Sequence, residues 1–259
     1  MADCRGKVVA VSAEVSYPLE VEGRLDPQVS RWLWLVKWLL AIPHFVVLAF
    51  LWISFFVLTF VALVAIVFTG RYPRSLFDFT SGVLRWTWRV SYYAASGGLG
   101  TDQYPPFTLG YAPQYPTTLD IAYPTTLSRG LVLVKWWLLA IPHYLIIGLF
   151  VTNWWGWNSA GERFAVNPVG SGGLFGLLVV ITAIMLLVTG KYPPQLFALI
   201  IGGNRWIYRV IAYAALMTDQ YPPFRLDQGG SEPTLPPLPP TIGPAVPPAP
   251  EPAGTWTGA

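Results

Sequence analysis

The chain has 259 residues, of which 54% are hydrophobic and only 11% charged, against roughly 25% charged in ordinary soluble domains. A net charge of +3 is too small to suggest a nucleic-acid partner, and a single cysteine, Cys4, excludes an internal disulfide and a thiolate metal site. Thirteen tryptophans and thirteen tyrosines, whose rings favour the membrane–water boundary, complete the profile of an integral membrane protein.

Near the start, Val9, Val11, Ala13, Val15, Tyr17, Leu19 and Val21 alternate with Ser12, Glu14, Ser16, Glu20 and Glu22, a period of two that predicts a strand. The first thirty residues hold no apolar core, so no cleavable signal peptide is expected. From Trp32 to Thr69 the only formal charge is Lys37. As one helix this stretch would be a rod of about 57 Å, almost twice the roughly 30 Å hydrocarbon core. Two spans, about 32–51 and 54–69 with a turn near Trp52–Ser54, fit that thickness; a single span with a bent extension is the alternative.

A third helix follows over Ser75–Ala95. Its Asp78, Ser81, Arg85, Arg89, Tyr92 and Ser96 recur at spacings of three and four and form one polar stripe, as expected of a helix lying in the interface. Thr101-Asp102-Gln103-Tyr104-Pro105-Pro106-Phe107 then reads as a turn that locks the end of this helix.

The same unit is written a second time. Tyr123-Pro124 answers Tyr17-Pro18, and Leu138-Leu139-Ala140-Ile141-Pro142-His143 answers Leu39-Leu40-Ala41-Ile42-Pro43-His44. Thr189-Gly190-Lys191-Tyr192-Pro193 answers Thr69-Gly70-Arg71-Tyr72-Pro73, and Thr218 through Phe224 repeats the Thr-Asp-Gln-Tyr-Pro-Pro-Phe turn. A shorter strand segment, Leu119–Tyr123, is a possible partner of the first. The second copy inserts the Gly-, Asn- and Trp-rich stretch Asn153–Gly173, which predicts a loop between spans at about Leu131–Val151 and Gly173–Thr189. Its third helix is expected over Gln195–Met217. From Asp227 onward Pro236-Pro237-Leu238-Pro239-Pro240 and Pro247-Pro248-Ala249-Pro250 predict a disordered or polyproline tail.

These elements predict an all-α integral membrane fold with short β segments. It has four transmembrane helices as two tandem parallel hairpin repeats, each followed by an amphipathic interfacial helix. The expected divisions are an N-terminal cytoplasmic strand segment (1–30), two membrane repeats (31–110 and 111–226) and the tail (227–259). In that arrangement every Lys and Arg except Lys37, Lys135 and Arg163 lies on one side, which assigns both termini to the cytoplasm of a multi-pass cell-membrane protein.

Two sets of residues are candidates for a site. His44 and His143, the only histidines, fall deep within predicted spans, where an ionisable group is a candidate functional site. They could share a ligand, a metal or a haem iron, or serve the backbone freed by Pro43 and Pro142 at the carbonyls of Leu39 and Leu138. The i,i+4 pairs Arg85/Arg89 and Arg205/Arg209 suit anionic headgroups or an acidic partner, or anchor their helices by snorkelling. The glycine of Thr-Gly-Arg/Lys-Tyr-Pro reads as a helix C-cap. No Walker loop, zincin helix, nucleophile elbow or dinucleotide fingerprint is present.

Leu35 through His44, Phe68 through Phe79, Val83-Leu84-Arg85-Trp86 and Asp102 through Phe107 together resemble a bacterial membrane family, frequent in actinobacteria, known as domain of unknown function 4389. The resemblance covers roughly residues 15–107 and 121–224. It implies membrane location and supplies no activity, substrate or catalytic residue. The second copy departs from it in its long loop and in carrying Ala198 where the first has Asp78. The expected function is therefore non-catalytic: a scaffold or accessory subunit that contacts membrane lipids and another integral membrane protein, with no cofactor. The alternatives are a carrier or pore for a small or lipidic solute between the repeats, and a haem- or metal-binding subunit using the two histidines.

Overall fold

The computed structural model describes residues 17–27, 29–151 and 173–227. The strand expectation for residues 9–16, the loop over 153–172 and the proline-rich tail after Asp227 lie outside the described residues.

In the first copy, helix α1 (Trp34–Leu40) breaks at Ala41, and α2 runs unbroken over Ile42–Thr69 with Pro43 in its first turn. Proline fits there because the first helical amides have no acceptor within the helix. The turn expected near Trp52–Ser54 does not exist. Nothing between Pro43 and Gly70 breaks a helix, Ser54 returns its hydroxyl to the carbonyl of Phe50, and the Trp52 indole binds Thr87. The chain reverses instead at Gly70, whose φ of 71° gives the expected left-handed C-cap, and α3 (Arg74–Ala94) packs back along α2.

The second copy follows the same course with one added residue. Lys-Trp-Leu-Leu of the first copy becomes Lys-Trp-Trp-Leu-Leu, and the extra tryptophan is absorbed in a π-helical turn, Lys135–Leu139, between α4 (Leu131–Val134) and α5 (Ile141–Val151). Helix α6 (Gly173–Thr189) packs on α5 and ends at Gly190, φ 68°, before α7 (Pro194–Ala214).

Among the described residues two helical stretches, Ile42–Thr69 and Leu131–Gly148, are long and apolar enough to cross a membrane; α6 is apolar but shorter. Among the described residues the fold does not present four helices long and apolar enough to cross. Only 17% of the apolar window of α2 is buried within the molecule, so most of its apolar face is left outside the core. Phe50, Phe56, Phe60 and Phe68 stand on its outer face.

Strands β1 (Leu19–Gly23) and β2 (Thr117–Ile121) pair antiparallel, with Val21 opposite Leu119. The strands are exchanged between copies: β1, ahead of the first copy, packs on α7, and β2, ahead of the second, packs on α3. Hydrogen bonds give the matching residues. The Tyr17 hydroxyl donates to the carbonyl of Gln220 and the Tyr115 hydroxyl to that of Gln103, at 3.2 and 3.3 Å. The structural counterpart of Tyr17-Pro18 is thus Tyr115-Pro116, not Tyr123-Pro124. Paired strands with equivalent residues facing each other imply an approximate two-fold relation between the copies. Trp88 and its counterpart Tyr208 also meet, edge to face at 5.6 Å.

Helix α3 is largely buried within the molecule. Thr80 through Leu84, Trp86, Trp88, Arg89, Val90, Tyr92 and Tyr93 are all buried, so the polar stripe turns inward from Ser81 on, while Asp78 stays exposed, and Arg85 and Tyr92 meet backbone carbonyls of the strands and loops. Helix α7 is buried in the same way, from Ile200 to Tyr213.

Candidate functional site

Each copy builds one polar cage between the end of α3 or α7 and the start of its long apolar segment. In the first, the fully buried Lys37 places its Nζ 2.7 Å from Asp102 Oδ1 and donates to the Thr101 carbonyl at 2.6 Å. Asp102 Oδ2 accepts from the Ser30 amide. The second copy repeats this: Lys135 Nζ lies 2.7 Å from Asp219 Oδ1 and 2.9 Å from the Thr218 carbonyl, with the Ser128 amide on Asp219 Oδ2. Sequence reasoning gave the two aspartates no partner. The signal was present, because Lys37 is the lone charge of an apolar run and a buried ammonium requires a carboxylate. Asp102 and Asp219 recur in both copies, whereas Asp78 does not; it sits on the surface, 3.3 Å from Arg74.

The histidines lie in the same cages. Trp86 donates its indole N–H to His44 Nδ1 at 3.1 Å, and Phe107 stacks on the ring at 3.9 Å. His143 Nδ1 accepts from Tyr221, its Nε2 is 2.9 Å from the Pro222 carbonyl, and Phe224 covers it at 4.1 Å. The Trp86 indole can only donate, so His44 Nδ1 accepts; the Pro222 carbonyl can only accept, so His143 Nε2 donates, and the neutral form of each ring carries its proton on Nε2. Every one of these contacts comes from the histidine's own copy. The carbonyl of Leu39 is met by the Ala41 amide, and that of Leu138 by the Ala140 amide, so the rings do not serve the proline breaks. Among the described residues no group of three or more His, Cys, Asp or Glu side chains could hold a metal ion.

Two of the four arginines hold the strands and two hold the loops that follow α3 and α7. Arg85 Nε donates to Leu119 O at 3.0 Å and Arg205 Nε to Val21 O at 2.9 Å, the two strand residues that face each other. Arg85 also reaches Tyr111 and Asp120. Arg209 donates to the carbonyls of Arg225 and Asp227. Arg89, its counterpart, donates to the carbonyl of Thr108, while its Nε and Nη1 find no acceptor. Burial lowers the Arg89 guanidinium to about 10, with Arg85 adding to the shift and the Tyr115 hydroxyl opposing it. Arg85 and Arg89 line a cavity of about 330 Å³ with Ala112, Pro113 and Leu119.

No curated protein and no solved structure matches this chain. A family model described as Domain of unknown function (DUF4389) matches residues 31–108 and 171–225, just over half of the chain. The two matched segments end with the two Asp-Gln-Tyr-Pro-Pro-Phe turns, and each carries one of the apolar helices α2 and α6 followed by its buried partner, α3 or α7. The chain belongs to the DUF4389 family.

Proposed function

We propose that this chain is a non-catalytic scaffold or accessory subunit of the cell membrane, seated by its apolar helices and joined to an integral membrane partner. One observation carries the non-catalytic part. The conspicuous ionisable side chains, Lys37, Lys135, Arg85 and Arg205, are spent on the protein's own carboxylates and carbonyls.

The seating favours a helix lying along the membrane plane over one standing upright. The buried edge of α2, from His44 through Leu48, Phe55 and Ala62 to Ile66, packs against α3 along its whole length. Strand β2, with its exposed Asp120, packs on α3. An upright α2 would carry that strand to bilayer depth, where one aspartate costs roughly 2.5–3.5 kcal/mol and unpaired strand edges cost more. Lying flat, the outer face of α2 sinks about 5–10 Å and the strand layer stays in water. A multi-pass arrangement with both termini cytoplasmic is the competing topology.

Single cysteines at Arg31 and Arg71, in a Cys4→Ser background, test it in vesicles of known orientation with an impermeant maleimide. Labelling of both from the same face supports in-plane seating; labelling from opposite faces establishes a crossing. Affinity purification in mild detergent tests the scaffold reading through a stable membrane-protein partner. Solute flux into liposomes containing this chain alone would overturn it in favour of a carrier.

A further inference from the structure

Among the polar contacts that differ between the two copies is one at a buried arginine. Arg209 places Nη1 on the Arg225 carbonyl and Nη2 on that of Asp227. Its counterpart Arg89 has the Thr108 carbonyl on Nη2, equivalent to Arg225, and no acceptor on its other terminal nitrogen, Nη1. Arg89 is only 3% exposed, and among the described residues no carboxylate lies within ion-pairing distance of it. A buried guanidinium left this way is costly unless something anionic meets it. The unmet arginine borders a cavity of about 330 Å³ between α3, β2 and the Gly110–Pro113 loop.

The geometry points to this cavity as a binding site for a small amphiphilic monocarboxylate, its carboxylate on Arg89 and its apolar body against Ala112, Pro113 and Leu119. The size falls in the range of small-molecule sites, which combine mostly apolar walls with few polar anchors. The anion is a monoanion because only one positive charge is uncommitted. Arg85, the other guanidinium on the cavity, is 3.2 Å from Asp120 and shares it with the Tyr111 hydroxyl, which donates to Asp120 at 2.6 Å. That carboxylate at the rim repels a phosphate dianion. The inference separates two arginines of one helix: Arg85 holds the sheet, and Arg89 holds ligand. It does not depend on how the protein sits in the membrane.

The test is equilibrium dialysis of radiolabelled 4-phenylbutyrate against the full chain in detergent, with empty micelles subtracted and 4-phenylbutanol as the neutral comparison. Saturable binding of the acid and not the alcohol is expected, reduced at least tenfold by Arg89→Met and by Ala112→Phe, which fills the cavity without touching the arginine. Arg74→Gln, on the exposed start of the same helix, should bind as the unaltered chain does. Arg89→Lys keeps the charge and guards against a misfolded Met variant, and thermal melts report folding of each protein. Equal binding of the alcohol, unchanged binding in Ala112→Phe, or absence of saturable binding overturns the proposal. Displacement of the acid by inorganic phosphate at lower concentration overturns the monocarboxylate assignment.

Discussion

Replacing Asp102 by Asn removes the counter-charge of an ammonium that is fully buried, while leaving an oxygen for the Ser30 amide. Lys37 then keeps one strong acceptor, the Thr101 carbonyl at 2.6 Å. Breaking a buried pair by deleting one partner costs about 3–5 kcal/mol, because the remaining charge is stranded. Asp102 has 21% of its side chain exposed, so water relieves part of this and the lower end applies. At 2–4 °C per kcal/mol for a chain of this size, about 3 kcal/mol lowers Tm by roughly 6–12 °C. The assay is thermal unfolding in detergent followed by near-ultraviolet circular dichroism. Lys37→Met with Asp102→Asn removes the stranded charge and should recover most of the loss, since apolar replacement of a buried pair is often neutral or better. The reasoning is refuted if Asp102→Asn costs under about 1 kcal/mol, or if the double variant melts no higher than the single one.

The same change at Asp219 should cost a similar amount, because Lys135 repeats the geometry at 2.7 Å. Deleting Trp137 should straighten the π-helical turn and keep Lys135 on Asp219, with Tm within a few degrees. A loss as large as that of Asp219→Asn would mean the turn does not absorb the extra residue. Gly82→Ala would place its methyl 2.9 Å from Leu109 Cβ and 3.0 Å from Leu109 O. Overpacking against backbone, about 1–3 kcal/mol, outweighs a helix-propensity gain near 1, so Tm falls. Gly176→Ala, with nothing within 4 Å, serves as the control that does not destabilise.

Burial raises the hydroxyls of Tyr17, Tyr92, Tyr115, Tyr192 and Tyr208, so above pH 10 the unfolded chain loses protons the folded one keeps and stability falls as pH rises. Arg89 acts oppositely, since its folded value of about 10 lies below that of an exposed arginine. Five tyrosines against one arginine leave a net loss on the order of 5 kcal/mol near pH 11. Phenolate absorbance should show these tyrosines ionising only with unfolding; free titration at pH 10 would refute their burial.

The sequence by itself determined the duplication, the backbone carbonyls freed by Pro43 and Pro142, the glycine caps at 70 and 190, and the apolar stretches. These follow from local chemistry: proline lacks an amide hydrogen, glycine tolerates positive φ, and identical motifs recur in register. Periodicity also showed correctly which α3 residues share a face. It did not show what stands opposite, and the stripe through Arg85 and Arg89 faces strand and loop carbonyls, not water. The unbroken α2 was misjudged because a length compared with bilayer thickness presumes an upright helix, and no local signal stops it before Gly70. Only the tertiary structure decided the exchange of strands, the choice of Tyr115 as the partner of Tyr17, and the two lysine–aspartate pairs. The two lysine cages join residues 64 and 83 positions apart, and all of these contacts depend on how whole copies pack, which no short-range pattern encodes.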